Sequence, residues 1–324
     1  MPESVRRIAG RIREGLRLKA RQDGPSWRVW VAAFGKHPGW DDHMEDIGLD
    51  TEVLIDAKRI LYEGIRENLE EGSWNKLGDD QVVREHTHEF VWCRGGDVLA
   101  GRLWSSRDGK GRSDYPMILC AHCSGLPVDF AVRESLARLK DTAILCSGTT
   151  SADQVRQAVQ AARAELERFI MGSPPGGNLP VDYRWALGQL IKRYTPEPGR
   201  EGLVRILYQM DREGVGLCQV PGRAVLVEQR THARVPVGAG PGRETALLWV
   251  KFILGRLGRG TAVLILMPVG ESWMDIVAGK PTSAELYCIR ASLKAIPLTS
   301  SVPYNIEPGF RERINSLLCG APQV

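Results

Sequence analysis

The feature that most constrains the fold is a turn signal between two strand-like segments. Residues 98–104 and 115–120 are rich in side chains that favour extended backbone, and the polar loop between them contains Asp108-Gly109. Asp-Gly is a strong signal for a tight turn between antiparallel strands, because both residues tolerate the backbone conformation that such turns need. The pattern predicts a β-hairpin and therefore an antiparallel sheet.

Other strand-like and helical segments surround this hairpin. Strands are predicted at residues 27–34, 88–93, 203–210, 216–220, 224–227, 261–267 and 273–278. Apolar residues recur at helical spacing after residue 50, and further helices are predicted at residues 128–140, 152–170, 244–257 and 283–292. The predicted class is α/β (α+β), with largely antiparallel sheets flanked by helices.

A segment rich in proline and glycine divides the chain. Residues 172–180 contain two adjacent prolines and three glycines, a composition that is typical of a linker. The predicted organisation is a basic amphipathic helix (1–24), a first α/β domain (25–172), a linker (173–182) and a second α/β domain (183–324).

The N-terminal segment is basic and amphipathic. Residues 3–22 carry seven lysines or arginines, and Val5, Ile8, Ile12 and Leu16 are spaced for one face of a helix. Two interpretations are open. The helix docks on its own domain, or it makes a peripheral contact with an acidic membrane surface or partner.

Composition limits the function classes. A net charge of +4 on 324 residues does not indicate a nucleic-acid partner. The seven cysteines are scattered and odd in number, which is typical of a reduced, intracellular protein. The longest purely apolar run, residues 262–267, is far shorter than the roughly 20 residues that cross a bilayer. We expect a cytoplasmic protein.

The loop of the predicted hairpin is the first candidate site. Ser106, Asp108, Gly111 and Arg112 lie in a glycine-containing, cationic segment that is suited to cradle a phosphate. The alternative is a solvated turn in which Ser106 and Asp108 bond their own backbone. The segment lacks the Walker A spacing, and the chain lacks the Gly-x-Ser-x-Gly signature of a nucleophile elbow. These patterns predict no enzyme chemistry.

A metal site is a second possibility. Histidines concentrate in one region that also contains a Cys-x-x-Cys pair, which gives the candidate ligands His37, His43, His86, His88, Cys120 and Cys123. Structural zinc needs four convergent ligands, and no second Cys-x-x-Cys pair is present. We therefore favour ordinary burial or surface placement and predict no cofactor, with a metal-binding protein or metal-dependent enzyme as the alternative.

Two further motifs stand out on loops next to predicted strands. The first is a Gly-Lys-x-Pro element followed by an aspartate, here Gly35, Lys36, Pro38 and Asp42. The second is Ser-x-Asp-x-x-Gly-Arg running into an aromatic-Pro strand, here Ser106, Asp108, Gly111, Arg112, Tyr115 and Pro116. Together they resemble the TagF (ImpM) accessory proteins of type VI secretion, over about residues 27–125. The chain departs from the family pattern at Asp41-Asp42, where the family has Gly-Asp.

The resemblance implies a non-enzymatic, cytoplasmic regulator that binds protein partners, among them a forkhead-associated scaffold or other secretion components. It also implies a longin- or profilin-like α/β/α fold for the N-terminal domain, which raises the alternative of a partner for a small GTPase or a membrane surface. For the matched loops, we predict that Arg112 makes a bidentate bond to a carboxylate such as Asp42, which would pin the two loops together. The resemblance does not extend to the second domain.

Overall fold

The computed structural model describes residues 27–172, 182–218 and 229–320, which contain one seven-stranded sheet. All neighbouring strands are antiparallel, in the order β1-β4-β3-β2-β6-β7-β5. The strands are β1 (Arg28–Gly35), β2 (Thr87–Arg94), β3 (Asp97–Ser105), β4 (Pro116–Ser124), β5 (Thr231–Pro236), β6 (Val263–Pro268) and β7 (Trp273–Ala278). The predicted α/β class with antiparallel strands is confirmed.

Helices cover both faces of the sheet. They are α1 (Glu52–Glu70), α2 (Val128–Phe130), α3 (Leu136–Ser147), α4 (Ala152–Gly172), α5 (Tyr183–Tyr194), α6 (Gly199–Met210), α7 (Gly242–Leu257), α8 (Ser283–Leu286) and α9 (Pro308–Cys319). A π-helical turn, Ala131–Ser135, joins α2 to α3. None of the helices in the described ranges combines the length and apolar character that a bilayer crossing requires.

The predicted hairpin is confirmed by the β3–β4 ladder. Val98 pairs with Cys123 and Ser105 pairs with Pro116, so the two strands are in register along their whole length. Gly101 lies in the middle of β3, where a Cβ atom would be 2.5 Å from Phe90 and 2.7 Å from the Cβ of Cys120. A glycine here lets the aromatic ring of the neighbouring strand pack directly on the backbone.

The side chains of each strand point alternately to the two faces of the sheet, and an apolar core lies on each face. Val31, Val91 and Leu119 point to one face, which is covered mainly by α3 to α7 and α9. Ala32, Phe90 and Cys120 point to the other face, where α1 and the segment around α8 pack. Because successive side chains of a strand point to opposite faces, nearly continuous apolar strands supply both cores at once.

The sheet crosses the predicted domain boundary. β2 belongs to the first predicted domain and β6 to the second, and the two strands pair from His88↔Pro268 to Cys93↔Val263. The strands of both segments therefore form one sheet. The basic helix predicted at 1–24 and most of the linker predicted at 173–182 lie outside the described residues, so both stay predictions.

Three predicted elements need correction. Residues 203–210 were predicted as a strand but form most of α6, with Leu203, Ile206 and Leu207 buried along one side. A short apolar run does not distinguish a strand from a buried helix, and here the helical spacing decides. At the predicted strand 216–220, Gly216 adopts a positive φ of 70° and ends the π-helical turn Asp211–Val215, and residues 217–218 form a turn. Residues 219–220 lie outside the described residues. The helix predicted at 283–292 is α8 followed by a 3₁₀ turn, Tyr287–Arg290. The strand predicted at 224–227 lies outside the described residues.

Candidate functional site

The two loops that carry the TagF-like motifs meet at the end of the β1–β4 ladder. Gly35 ends β1 with φ +124°, and a Cβ atom there would lie 2.2 Å from the carbonyl oxygen of Pro116. The backbone N–H of Lys36 donates to that same oxygen at 3.2 Å. Gly35 is therefore required by its close approach to Pro116, the first residue of β4.

Asp108 is the centre of the contact between the loops. Its Oδ2 accepts from Lys36 Nζ at 2.9 Å and from Arg112 Nε at 2.7 Å. Its Oδ1 accepts from the backbone N–H groups of Lys110 and Arg112, both at 3.0 Å. Burial alone would raise the pKa of Asp108, but the hydrogen bonds from Lys36, Arg112 and Lys110 hold it well below its usual range. The carboxylate is thus ionised and saturated with donors.

This arrangement decides between the two interpretations of the hairpin loop. A phosphate-binding loop keeps its backbone N–H groups for the ligand, but here Asp108 takes two of them together with the side chains of Lys36 and Arg112. Gly111, at φ +84°, completes the tight turn, and its N–H donates to the Asp108 carbonyl at 2.9 Å. The loop binds its own aspartate.

Arg112 contacts the first loop differently from the prediction. One nitrogen, Nη2, lies 3.0 Å from Asp42 Oδ1 and donates to the Asp41 carbonyl at 2.9 Å, while Nε is held by Asp108. The Arg112 side chain is 48% exposed and that of Asp42 is 66% exposed. The contact with Asp42 is therefore single and solvated, and the buried ion pair between the loops is Lys36–Asp108.

His37 ties the first loop to the C-terminal end of α3. The Gly39 N–H donates to Nδ1 at 3.0 Å, so the proton is on Nε2, which donates to the Cys146 carbonyl at 2.9 Å. Burial lowers the pKa of His37, which favours this neutral form. Both ring nitrogens are engaged, so His37 has a structural role in this conformation.

A group of three aromatic rings lies beside the matched loops. Tyr115 stacks on Tyr62 of α1, with 5.3 Å between ring centroids, and the exposed His43 ring contacts both half-buried tyrosines. The Tyr62 hydroxyl lies 3.3 Å from His43 Nδ1. Burial, with a smaller effect of Asp46, raises the pKa of Tyr62, so its hydroxyl stays protonated. Of these rings, Tyr62 lines a surface depression that continues along α1.

We call this depression the α1 groove. It has a volume of about 490 Å³, and its apolar lining includes Leu49, Ile55 and Tyr62. Lys58 and Arg59 belong to its charged lining, and Ile55 is 46% exposed. Ile55 is thus the exposed large apolar side chain in the lining of this groove.

The remaining motif residues are at least partly buried. Pro38, Tyr115 and, in the β3–β4 loop, Ser106 are half-buried, and Pro116 is buried. The structure thus brings every residue of the two matched motifs to one end of the sheet. The residues that sequence reasoning missed are Tyr62 and the groove on α1, because their closeness to Tyr115 depends on how α1 packs.

The candidate metal ligands do not converge. Cys120 and Cys123 lie on opposite faces of β4, in different cores, and burial raises the pKa of each thiol to about 12. His86 and His88 line a small cavity of about 70 Å³, while His43 lies at the aromatic group. None of the six candidates belongs to the one group of potential ligands found within the described residues, which is His232, Asp275 and Cys288.

That group is already occupied by an arginine. Arg234 donates from Nε and Nη2 to the two oxygens of Asp275, both at 2.9 Å, and His232 Nε2 lies 2.8 Å from Oδ1. Arg234 also donates to the carbonyls of Cys288, Ala291, Ser292 and Ile296. A fixed guanidinium opposes a second cation beside the same carboxylate. The cluster pins the segment after α8 to the sheet.

Comparisons with known proteins give a partial structural similarity. No protein-family model and no curated protein matches this chain. Among solved structures, the crystal structure of PA0076 from Pseudomonas aeruginosa PAO1 is similar to part of it, with 19% sequence identity and a TM-score of 0.32. The match covers 40% of this chain and 61% of that chain.

Proposed function

We propose that this chain is a non-enzymatic, cytoplasmic protein that regulates a type VI secretion system, or a related multi-protein apparatus, by binding a protein partner. The observation that carries the proposal is the meeting of the two TagF-like motifs around Asp108. Motifs separated by about seventy residues of sequence act here as one structural unit.

The contact between the two motif loops around Asp108 supports a nearby partner surface and is not itself that surface. Lys36 and Asp108 are buried, so neither side chain is available to a partner. Tyr115, the aromatic residue of the second motif, stacks on Tyr62, which lines the α1 groove. We therefore place the partner on the α1 groove, with Ile55 as its apolar anchor and the two stacked tyrosines beside it.

The proposal is tested by affinity purification from the native host with quantitative mass spectrometry. Wild type is compared with Ile55→Asp, which puts a charge in the groove, and with Val269→Asp. Val269 is the matched control because it is 50% exposed but lies on the turn after β6, outside the groove. Circular dichroism and thermal unfolding must first show that both variants fold like wild type.

We expect wild type and Val269→Asp to recover the same sheath, baseplate or forkhead-associated protein, and Ile55→Asp to recover at least about tenfold less, since burying an isoleucine contributes about 1.5–3 kcal/mol. Secretion by the host should change in parallel. Equal recovery by all three proteins would reject the groove as the binding surface. Absence of every secretion component from the wild-type preparation would reject the family assignment.

A further inference from the structure

A buried charge cluster lies on the other core face, away from the α1 groove. Glu89 of β2 pairs directly with Arg102 of β3 in the sheet, and Arg243 reaches them from the first turn of α7. Glu89 is 8% exposed and Arg102 is 7% exposed. The Arg243 side chain keeps 28% exposure, so the cluster is open to solvent on the α7 side.

The hydrogen bonds in this cluster are unevenly shared. Arg243 donates from Nε to Glu89 Oε2 at 2.6 Å and from Nη2 to Oε1 at 2.5 Å. This bidentate pair uses both carboxylate oxygens in the geometry that a guanidinium and a carboxylate prefer. Arg102 Nε remains 3.8 Å from Oε1, and within the described part of the chain it has no hydrogen-bond partner.

The cluster therefore holds two guanidinium groups against one carboxylate. Desolvation lowers the pKa of Arg102, and Arg243 adds to this effect, whereas Glu89 and the exposed Asp141 of α3 oppose it. An arginine nevertheless stays protonated in proteins. A buried cation whose N–H group lacks a hydrogen-bond acceptor is costly, and a negatively charged acceptor beside Arg102 would remove this cost.

The N-terminus of α7 adds to the positive potential. The helix has 16 residues, and its N-cap, Pro241, offers no side-chain hydrogen bond to the first turn. The preceding glycine-containing loop is held by its own contacts, because the Ala239 N–H donates to the Arg193 carbonyl at 3.0 Å. The positive end of the helix dipole and Arg102 thus act in the same direction as Arg243.

We propose that a small oxyanion, a phosphate or a carboxylate, binds beside Arg102 at the N-terminus of α7. An oxyanion supplies the acceptor that Arg102 Nε lacks and balances the excess positive charge. Its oxygens match the planar N–H groups of a guanidinium better than a spherical halide does. This site is independent of the partner surface on α1, and neither proposal rests on the other.

The test is isothermal titration of the purified full-length protein with inorganic phosphate and, separately, with acetate, at constant ionic strength set with chloride. The variants are Arg102→Met and Glu89→Gln, with Arg133→Met as the matched control. Arg133 lies in the π-helical turn Ala131–Ser135 and bonds Glu244 in the first turn of α7, but its side chain is 51% exposed.

We expect wild type and Arg133→Met to bind an oxyanion equally, Arg102→Met to bind at least about tenfold more weakly, and Glu89→Gln to bind more tightly because a competing carboxylate is lost. The stronger of the two probes identifies the ligand chemistry. Equal titration of Arg102→Met and wild type, or binding that chloride abolishes in both alike, would overturn the site.

Thermal unfolding separates binding from a structural role. In phosphate-free buffer, Arg102→Met should melt at the same temperature as wild type or higher, because an uncompensated buried charge is replaced by an apolar side chain. Phosphate should then raise the melting temperature of wild type but not that of the variant. A variant that melts below wild type without phosphate would show that Arg102 stabilises the fold itself, against the proposal.

Discussion

Lys36 Nζ lies 2.9 Å from Asp108 Oδ2, and both side chains are buried although the residues are 72 positions apart in the chain. The ion pair joins the end of β1 to the β3–β4 loop. Arg112 and two backbone N–H groups complete the coordination of the same carboxylate. The two motifs thus form a joint whose centre is one aspartate.

The first prediction concerns the stability of this joint. Asp108→Asn should destabilise the protein more than Lys36→Met, because every group around the carboxylate is a donor and the amide adds another donor among them. Lys36→Met leaves Asp108 with three of its four donors. Lys110→Met is the control, since Lys110 contributes only its backbone N–H to Asp108. Urea unfolding at pH 7 measures the order, and an Asp108→Asn midpoint equal to that of the control would contradict it.

The second prediction compares the loss of stability when each of two motif glycines, Gly35 and Gly111, is replaced by alanine. Gly35→Ala should cost more than about 2 kcal/mol, because it combines an unfavourable φ with a 2.2 Å approach to the Pro116 carbonyl. Gly111→Ala should cost about 1–2 kcal/mol, because it has a positive φ but open space around it. Gly260→Ala, with open space and an ordinary φ, should change stability by less than about 0.5 kcal/mol. Chemical denaturation gives the ranking, and a Gly35 variant no worse than Gly111→Ala would refute the close approach.

Local sequence signals predicted much of the sheet but not how its parts meet. The two strand-like runs on either side of Asp108-Gly109 pair as a hairpin as predicted, because alternation is a local property, but the loop of residues 106–115 joins them instead of a two-residue turn. The β2–β6 ladder joins strands that lie far apart in sequence, and no local signal identifies such a pair. The local sequence signals therefore could not predict that one seven-stranded sheet contains strands of both predicted domains.

The candidate site was predictable as a set of residues but not as a set of contacts. The two motifs were found in the correct order, and the structure brings them together. The predicted contact of Arg112 with Asp42 is present, but it uses one nitrogen and is solvated, and Arg112 also binds the buried carboxylate of Asp108, which was not predicted. Choosing between two nearby aspartates requires knowing which one is buried, and burial depends on the packing of the β3–β4 loop against β1.

The third prediction concerns the buried pair of Arg234 and Asp275. Asp275→Asn should lower the free energy of unfolding by about 3–5 kcal/mol, because it leaves a buried guanidinium without its carboxylate. Amide exchange should rise most in residues 288–296, whose carbonyls Arg234 binds. Arg230→Met is the matched control: its ion pair with Glu285 is partly exposed and should contribute no more than about 1 kcal/mol. Equal losses in both variants would show that burial of the pair does not matter.

The last prediction is a loss of stability in mild acid to which the two histidines of the small cavity beside β2 contribute, together with His37, whose pKa burial also lowers. Burial lowers the pKa of His88 to about 3 and that of His86 to about 4, from an ordinary value of 6.5. His88 Nδ1 has no hydrogen-bond partner, so a second proton would place an unpaired charge in the core.

The direction follows from proton linkage. Above pH 6.5 neither the folded nor the unfolded chain protonates these rings, and the stability is complete. As the pH falls from 6.5 to about 5, the unfolded chain binds protons that the folded chain does not, so the free energy of unfolding decreases by up to about 1.4 kcal/mol per pH unit for each histidine. Carboxylates with lowered pKa, such as Asp275, add their loss only at lower pH, near and below their ordinary value of 3.8. Urea unfolding at several pH values should therefore give a flatter slope for His88→Gln than for wild type in this window, and an unchanged slope would show that His88 is not the source.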